Sequence, residues 1–76
     1  MYVMTQSKRL LINIKYFECI SIDNSDDSCY TITGHYYKDE QEPVEFGTYQ
    51  DNEFAQYVLE ELSVAIEKNQ STFHML

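Results

Sequence analysis

The chain has 76 residues and carries thirteen Asp and Glu against five Lys and Arg, a net charge of −8 at neutral pH. That length makes one domain with a thin core, since a chain of this size buries only about 60% of its extended-chain surface. The acidity excludes the clustered Lys and Arg that nucleic acid and anionic lipid require, and 43% hydrophobic with 14% aromatic residues excludes a disordered chain.

From the start of the chain, Tyr2 to Thr5 is a short apolar run closed by the polar stretch Gln6-Ser7-Lys8-Arg9. Leu10, Ile12 and Ile14 then alternate with period 2, so the two runs read as a hairpin. Adjacent Tyr16 and Phe17 break the alternation, which predicts a bulge or a corner. A new strand follows from about Glu18, with Ile20 and Ile22 on one face and Cys19 and Ser21 on the other. Asp23-Asn24-Ser25-Asp26-Asp27-Ser28 predicts a turn, because Asn, Asp and Ser side chains hydrogen-bond nearby backbone. Tyr30, Ile32, Gly34 and Tyr36 alternate with Thr31, Thr33, His35 and Tyr37, a strand composition. Residues 38–43 form the next loop, and Val44 to Tyr49 a last strand.

The period then changes. Phe54, Val58, Leu62, Ala65 and Ile66, with Ala55 and Leu59 beside them, recur at spacings of three and four. This predicts an amphipathic helix from about Asn52 to Lys68. Asp51 suits the N-cap, and Glu53 and Lys68 complement the two ends of the helix dipole. The expected fold is α+β: an antiparallel β-meander of four to five short strands packed against one C-terminal amphipathic helix. Residues 1–70 make the domain, and 71–76 an apolar tail carrying Phe73, Met75 and Leu76.

The opening Met1-Tyr2-Val3-Met4-Thr5-Gln6, Leu11-Ile12-Asn13-Ile14, and Phe46-Gly47-Thr48-Tyr49 followed by an acidic helix together cover about half the chain. In these stretches the sequence resembles small acidic proteins of low-GC Gram-positive bacteria and their phages. The resemblance implies the meander-plus-helix fold and a mobile-element origin, and it assigns no functional residues.

Reactive constellations are scarce. A calcium loop starting at Asp23 would need Gly at its sixth position and a bidentate Glu at its twelfth, where this chain has Ser28 and Gly34. His35 and His74 are the only imidazoles. The predicted pairing sets Cys19 near Thr33 and Cys29 near Asp23, which converges no zinc ligands and forbids a disulfide. Both cysteines therefore read as reduced thiols. No apolar run approaches the roughly 20 residues that span a bilayer, and Met1 to Arg9 has no signal-peptide core, so a cytoplasmic protein is expected. Neither glycine, Gly34 nor Gly47, belongs to a phosphate loop. Glu60 and Glu61 are adjacent on the helix and point apart. No motif surrounds a nucleophile, and so small a domain is expected to lack a substrate cavity of about 300–1,000 Å³. The expectation is a non-enzyme with no metal and no cofactor.

The acids are unevenly placed: Asp23 to Glu67 holds twelve of them against Lys38 alone. Such a field attracts a basic protein surface, including a nuclease or nucleic-acid-binding one. The residues expected to meet that partner are Asp26, Asp27, Tyr37, Asp39, Glu40, Glu42 and Glu45. The carboxylates would stand in for phosphates, and Tyr37 would add exposed aromatic area. For a phage-like chain the expected role is an inhibitor of a host nuclease, anti-CRISPR or anti-restriction, acting by DNA mimicry without direct contact to nucleic acid or membrane. The alternative is a homo-oligomeric accessory domain, such as a homodimer, whose acidity serves solubility and whose tail docks on a second copy.

Overall fold

A computed structural model of the chain describes all residues except Asp27, Asp39 and Glu40, and all remaining side chains except those of Ser25 and Asp26. Among the described residues, six strands and one helix follow one another: β1 (Tyr2–Met4), β2 (Leu11–Asn13), a 3₁₀ turn (Ile14–Tyr16), β3 (Phe17–Asp26), β4 (Cys29–Tyr36), β5 (Val44–Tyr49), α1 (Asn52–Glu67) and β6 (Thr72–His74). The fold is α+β, as the residue periods predict. The strands divide between two three-stranded sheets, β2-β1-β6 and β3-β4-β5.

The local signals act much as expected. Asp51 caps α1, its Oδ1 accepting from the Glu53 N–H at 3.0 Å. The slip at Tyr16-Phe17 is the exit of a 3₁₀ turn, which starts where the Asn13 side chain accepts from the Lys15 N–H. The register of β3 against β4 jumps between Phe17 and Cys19 and again between Asp23 and Asp26. Those jumps correct two expectations. Cys19 lies opposite His35 rather than near Thr33, and Cys29 opposite Asp26 rather than near Asp23. The strand also runs on through most of the predicted turn, as far as Asp26.

Residues 71–76 depart furthest from expectation. They are not a tail: Thr72–His74 pairs in parallel with β1, setting Phe73 opposite Val3, and Met75 is buried. The reversal that brings them back is built at the end of α1. Asn69 adopts φ 59°, its N–H donates to the Ile66 carbonyl, and the Gln70 N–H donates to the Ala65 carbonyl. This is the Schellman arrangement, whose left-handed residue is usually Gly and sometimes Asn.

One polar side chain ties the two sheets together. The Gln6 N–H donates to the Phe46 carbonyl at 2.8 Å, its Oε1 accepts from the Thr48 N–H at 2.9 Å, and its Nε2 donates to the Leu76 main-chain oxygen at 3.2 Å. Gln6 thus extends β1 beside β5.

The core lies between α1 and the inner faces of the sheets. Val3, Ile32, Phe46, Val58 and Leu62 are its most enclosed large side chains. Gly34 makes room in it. A β-carbon there would sit 2.8 Å from Phe17 Cδ1 and 2.9 Å from Phe46 Cζ, so its bare backbone lets those two rings meet edge to face at 5.4 Å.

Tyr49 closes the core beside β6, its hydroxyl donating to the Leu76 main-chain oxygen at 2.9 Å. Burial raises its pKa above the ordinary 10.0. The unfolded chain therefore releases this proton first, so the contribution is intact below about pH 10 and declines as pH rises further. Tyr49→Phe should cost about 1 kcal/mol at pH 8 through the lost hydrogen bond, and that deficit should shrink at pH 11. Urea midpoints of the two proteins at both pH values check this.

Candidate protein interface

Helix α1 buries Ala55, Val58, Leu62 and Ala65, a stripe rotated slightly from the predicted one. The rotation leaves Leu59 half-buried and Ile66 46% exposed. These two face the 3₁₀ turn and the start of β3 across an open groove of about 570 Å³. Ile14, Phe17, Ile20, Leu59, Leu62 and Ile66 supply its apolar lining, and Glu18, Glu60 and Glu67 the carboxylates along it. Among the described residues no Lys, Arg or His lines it. A cavity of this volume corrects the expectation that so small a domain cannot form one.

The carboxylates sit on both walls. Glu18 belongs to β3, while Glu60 and Glu67 stand seven residues apart on α1, about 10 Å along the axis. The apolar lining therefore runs between two acidic walls. Cys19, beside Glu18 at the β3 edge of the groove, pairs with His35 and so turns its exposed side chain to the opposite face of the sheet.

A second cleft, of about 440 Å³, opens beside it between Tyr16, Tyr36, Tyr37, Lys38 and Gln41. Phe17 joins the two, since its ring lines the groove and stacks on Tyr36 at 4.5 Å. The Lys15 ammonium lies 5.3 Å from the Tyr16 ring centre, a cation–π contact.

The residues expected to bind a partner do not form one patch. Asp26 lies at the β3–β4 hairpin end, opposite Cys29, whereas Tyr37 and Glu42 follow the other end of β4. Eight residues of β4 separate the two ends, about 23 Å at strand rise. Tyr37 is 67% exposed and lines the aromatic cleft. Glu42 is exposed, and Glu45 stands exposed on β5 opposite Thr33. Asp27, Asp39 and Glu40 lie outside the described residues. The acids that do share a site, Glu18, Glu60 and Glu67, are far apart in sequence. A helical projection of 59–67 shows Leu59 and Ile66 flanking the buried stripe, which was the available signal for the helix wall.

On the opposite face of the sheet, His35 meets Ser21 and Asp23. The Ser21 Oγ lies 3.1 Å from His35 Nε2 and donates to Asp23 Oδ1 at 3.0 Å. The other Asp23 oxygen is 3.6 Å from the same Nε2. A catalytic triad needs serine and carboxylate on different imidazole nitrogens; here both meet one, so the carboxylate cannot orient the ring for proton abstraction from the serine. This cluster cross-links β3 and β4.

No helix among the described residues is long and apolar enough to cross a membrane. Comparison with protein-family models finds no match, and comparisons with curated proteins and with solved structures likewise find none.

Proposed function

We propose that the chain is a protein-binding module, without catalysis of its own, that docks in the cytoplasm on a basic surface of a partner. In its sharpest form the partner is a nuclease of bacterial defence, and the module inhibits it by occupying the nucleic-acid site, as an anti-CRISPR or anti-restriction protein would. One observation carries the reading. Among the described residues no Lys or Arg lies within ion-pair distance of a carboxylate, the one carboxylate–imidazole contact being Asp23 with His35, and Glu18, Glu42, Glu45, Asp51, Glu53, Glu60, Glu61 and Glu67 are all exposed. The negative field is not neutralised within the chain, so it reaches solvent and steers a cationic partner toward it.

Affinity capture with the intact chain from lysate of low-GC Gram-positive cells, eluted by a salt gradient, tests this. The expected product is a basic nucleic-acid-binding protein, released below about 0.5 M salt where charges are screened beyond a few ångströms. The chain should then displace DNA from that protein. Retention unchanged at this salt, or a captured protein that keeps its DNA under excess chain, overturns the mimicry.

Self-association is the second reading, favoured by β3, a ten-residue strand at the border of its sheet; such borders pair readily with another strand. The apolar C-terminal residues no longer support it, because Phe73 and Met75 pack within the chain. A monomer by light scattering at high concentration would eliminate it.

A further inference from the structure

The groove between β3 and α1 combines two demands that few ligands meet together. Its lining calls for apolar side chains, and its walls carry Glu18 on one side and Glu60 and Glu67 on the other without a cation among the lining residues. We propose that this groove seats an amphipathic helix of the partner, with apolar anchors spaced three and four residues apart and Lys or Arg on both flanks. The inference rests on the protein-binding reading above and specifies where and by what chemistry it operates.

Three features select that occupant. The apolar strip of α1 from Leu59 to Ile66 spans two helical turns, about 10 Å. That matches the reach of anchors at positions i, i+3 or i+4, and i+7 of a docked helix. The carboxylates on the two walls match cations on both sides of such an anchor stripe, which an anionic lipid or an acidic peptide could not provide. A second copy of this chain is a poor occupant for the same reason. Its own helix carries Glu53, Glu60, Glu61 and Glu67 and no Lys or Arg, so self-docking would set acid against acid.

The test uses the full chain, ¹⁵N-labelled, and three synthetic 14-residue peptides. The first has Leu at positions i, i+3, i+4 and i+7 with flanking Lys. The second replaces Lys by Glu, and the third scrambles the Leu positions. The Lys-flanked peptide should shift the amide resonances of Ile14 to Ile20 and Leu59 to Glu67. Ile66→Asn should weaken it about fivefold, since Ile66 is already half-exposed and only part of its apolar area is at stake. Glu60→Gln with Glu67→Gln should weaken it by about five- to tenfold through two rim charge pairs. The Glu-flanked and scrambled peptides should bind at least tenfold more weakly.

Salt-sensitive binding of the Lys peptide that maps elsewhere and ignores Ile66→Asn would overturn the groove assignment while leaving the acidic-module reading intact. Failure of every basic peptide to bind at low salt would overturn the groove assignment, and the salt-gradient capture above would then decide the acidic-module reading separately. Equal binding of the Leu-scrambled peptide would reduce the groove to a non-specific acidic surface and also overturn the assignment.

Discussion

Removing residues 71–76 is expected to unfold the chain rather than to dissociate an oligomer. Those residues contribute the strand that pairs with β1 over Tyr2 to Met4, and the Met75 N–H donates to the Met4 carbonyl at 3.0 Å. Met75 is 7% exposed and belongs to the same buried cluster as Val3 and Tyr49. Losing a buried Met side chain costs about 2–5 kcal/mol. The truncation also uncovers Val3 and strips the Tyr49 hydroxyl of its acceptor, a loss of about 1–3 kcal/mol where that group stays buried. A domain of this length holds in total about 4–11 kcal/mol, so the deficit consumes most of it. The truncated chain should lose near-UV circular dichroism and amide dispersion at 25 °C. Leu76→Ala is the matched control: its side chain is 54% exposed and its main-chain oxygen remains, so the urea midpoint should move little. A truncated chain that stays folded and merely becomes smaller by light scattering would return these residues to the role of a docking tail.

Phe46→Ala should be the most damaging single substitution, costing about 3–5 kcal/mol. Phe46 is 1% exposed and stands where three supports converge. Its ring meets Phe17 edge to face, it rests over the bare backbone of Gly34, and its carbonyl accepts from Gln6. The space cannot collapse easily, because Gly34 has no side chain to fill it and β4 and β5 are held by their ladder. A residual cavity adds its own cost to the lost transfer energy. The effect should reach the candidate interface too. Phe17 lines the groove and would lose one of its two aromatic partners, so the groove-lining amides should broaden even where the variant remains folded. Urea unfolding followed by tyrosine fluorescence gives the stability change. A loss under 1 kcal/mol would mean that Phe46 is not the centre of this core.

The candidate site was only partly legible in the residues. Acidity and an excess of exposed aromatics were visible, and Tyr37 does line an aromatic cleft. Most of the carboxylates expected to bind a partner, from Asp26 to Glu42, belong to the conspicuous polar runs between predicted strands. The acids that share the groove are instead on regular elements, Glu18 on a strand and Glu60 and Glu67 on a helix, separated by more than forty residues. Charge spacing along a chain says which acids are neighbours on one helix; it does not say which strand the helix lies beside.

What the sequence determined by itself is the set of local patterns. The 3.6-residue period and Asp51 specify α1 to within a residue of its end, and the alternation around Ile32 specifies β4. The surplus of acids over bases specifies a negatively charged surface. These follow from interactions within a few residues, where period and capping chemistry leave little choice. The tertiary structure alone decided that 72–74 pairs with β1, that Gln6 joins two sheets, and that a groove opens between β3 and the helix beside Leu59 and Ile66. Short strands such as β1 and β6, three residues each, have too few alternating positions to announce themselves. Their pairing is selected only when Asn69 reverses the chain and burial of Val3, Phe73 and Met75 in a shared core outweighs the entropy of bringing distant segments together.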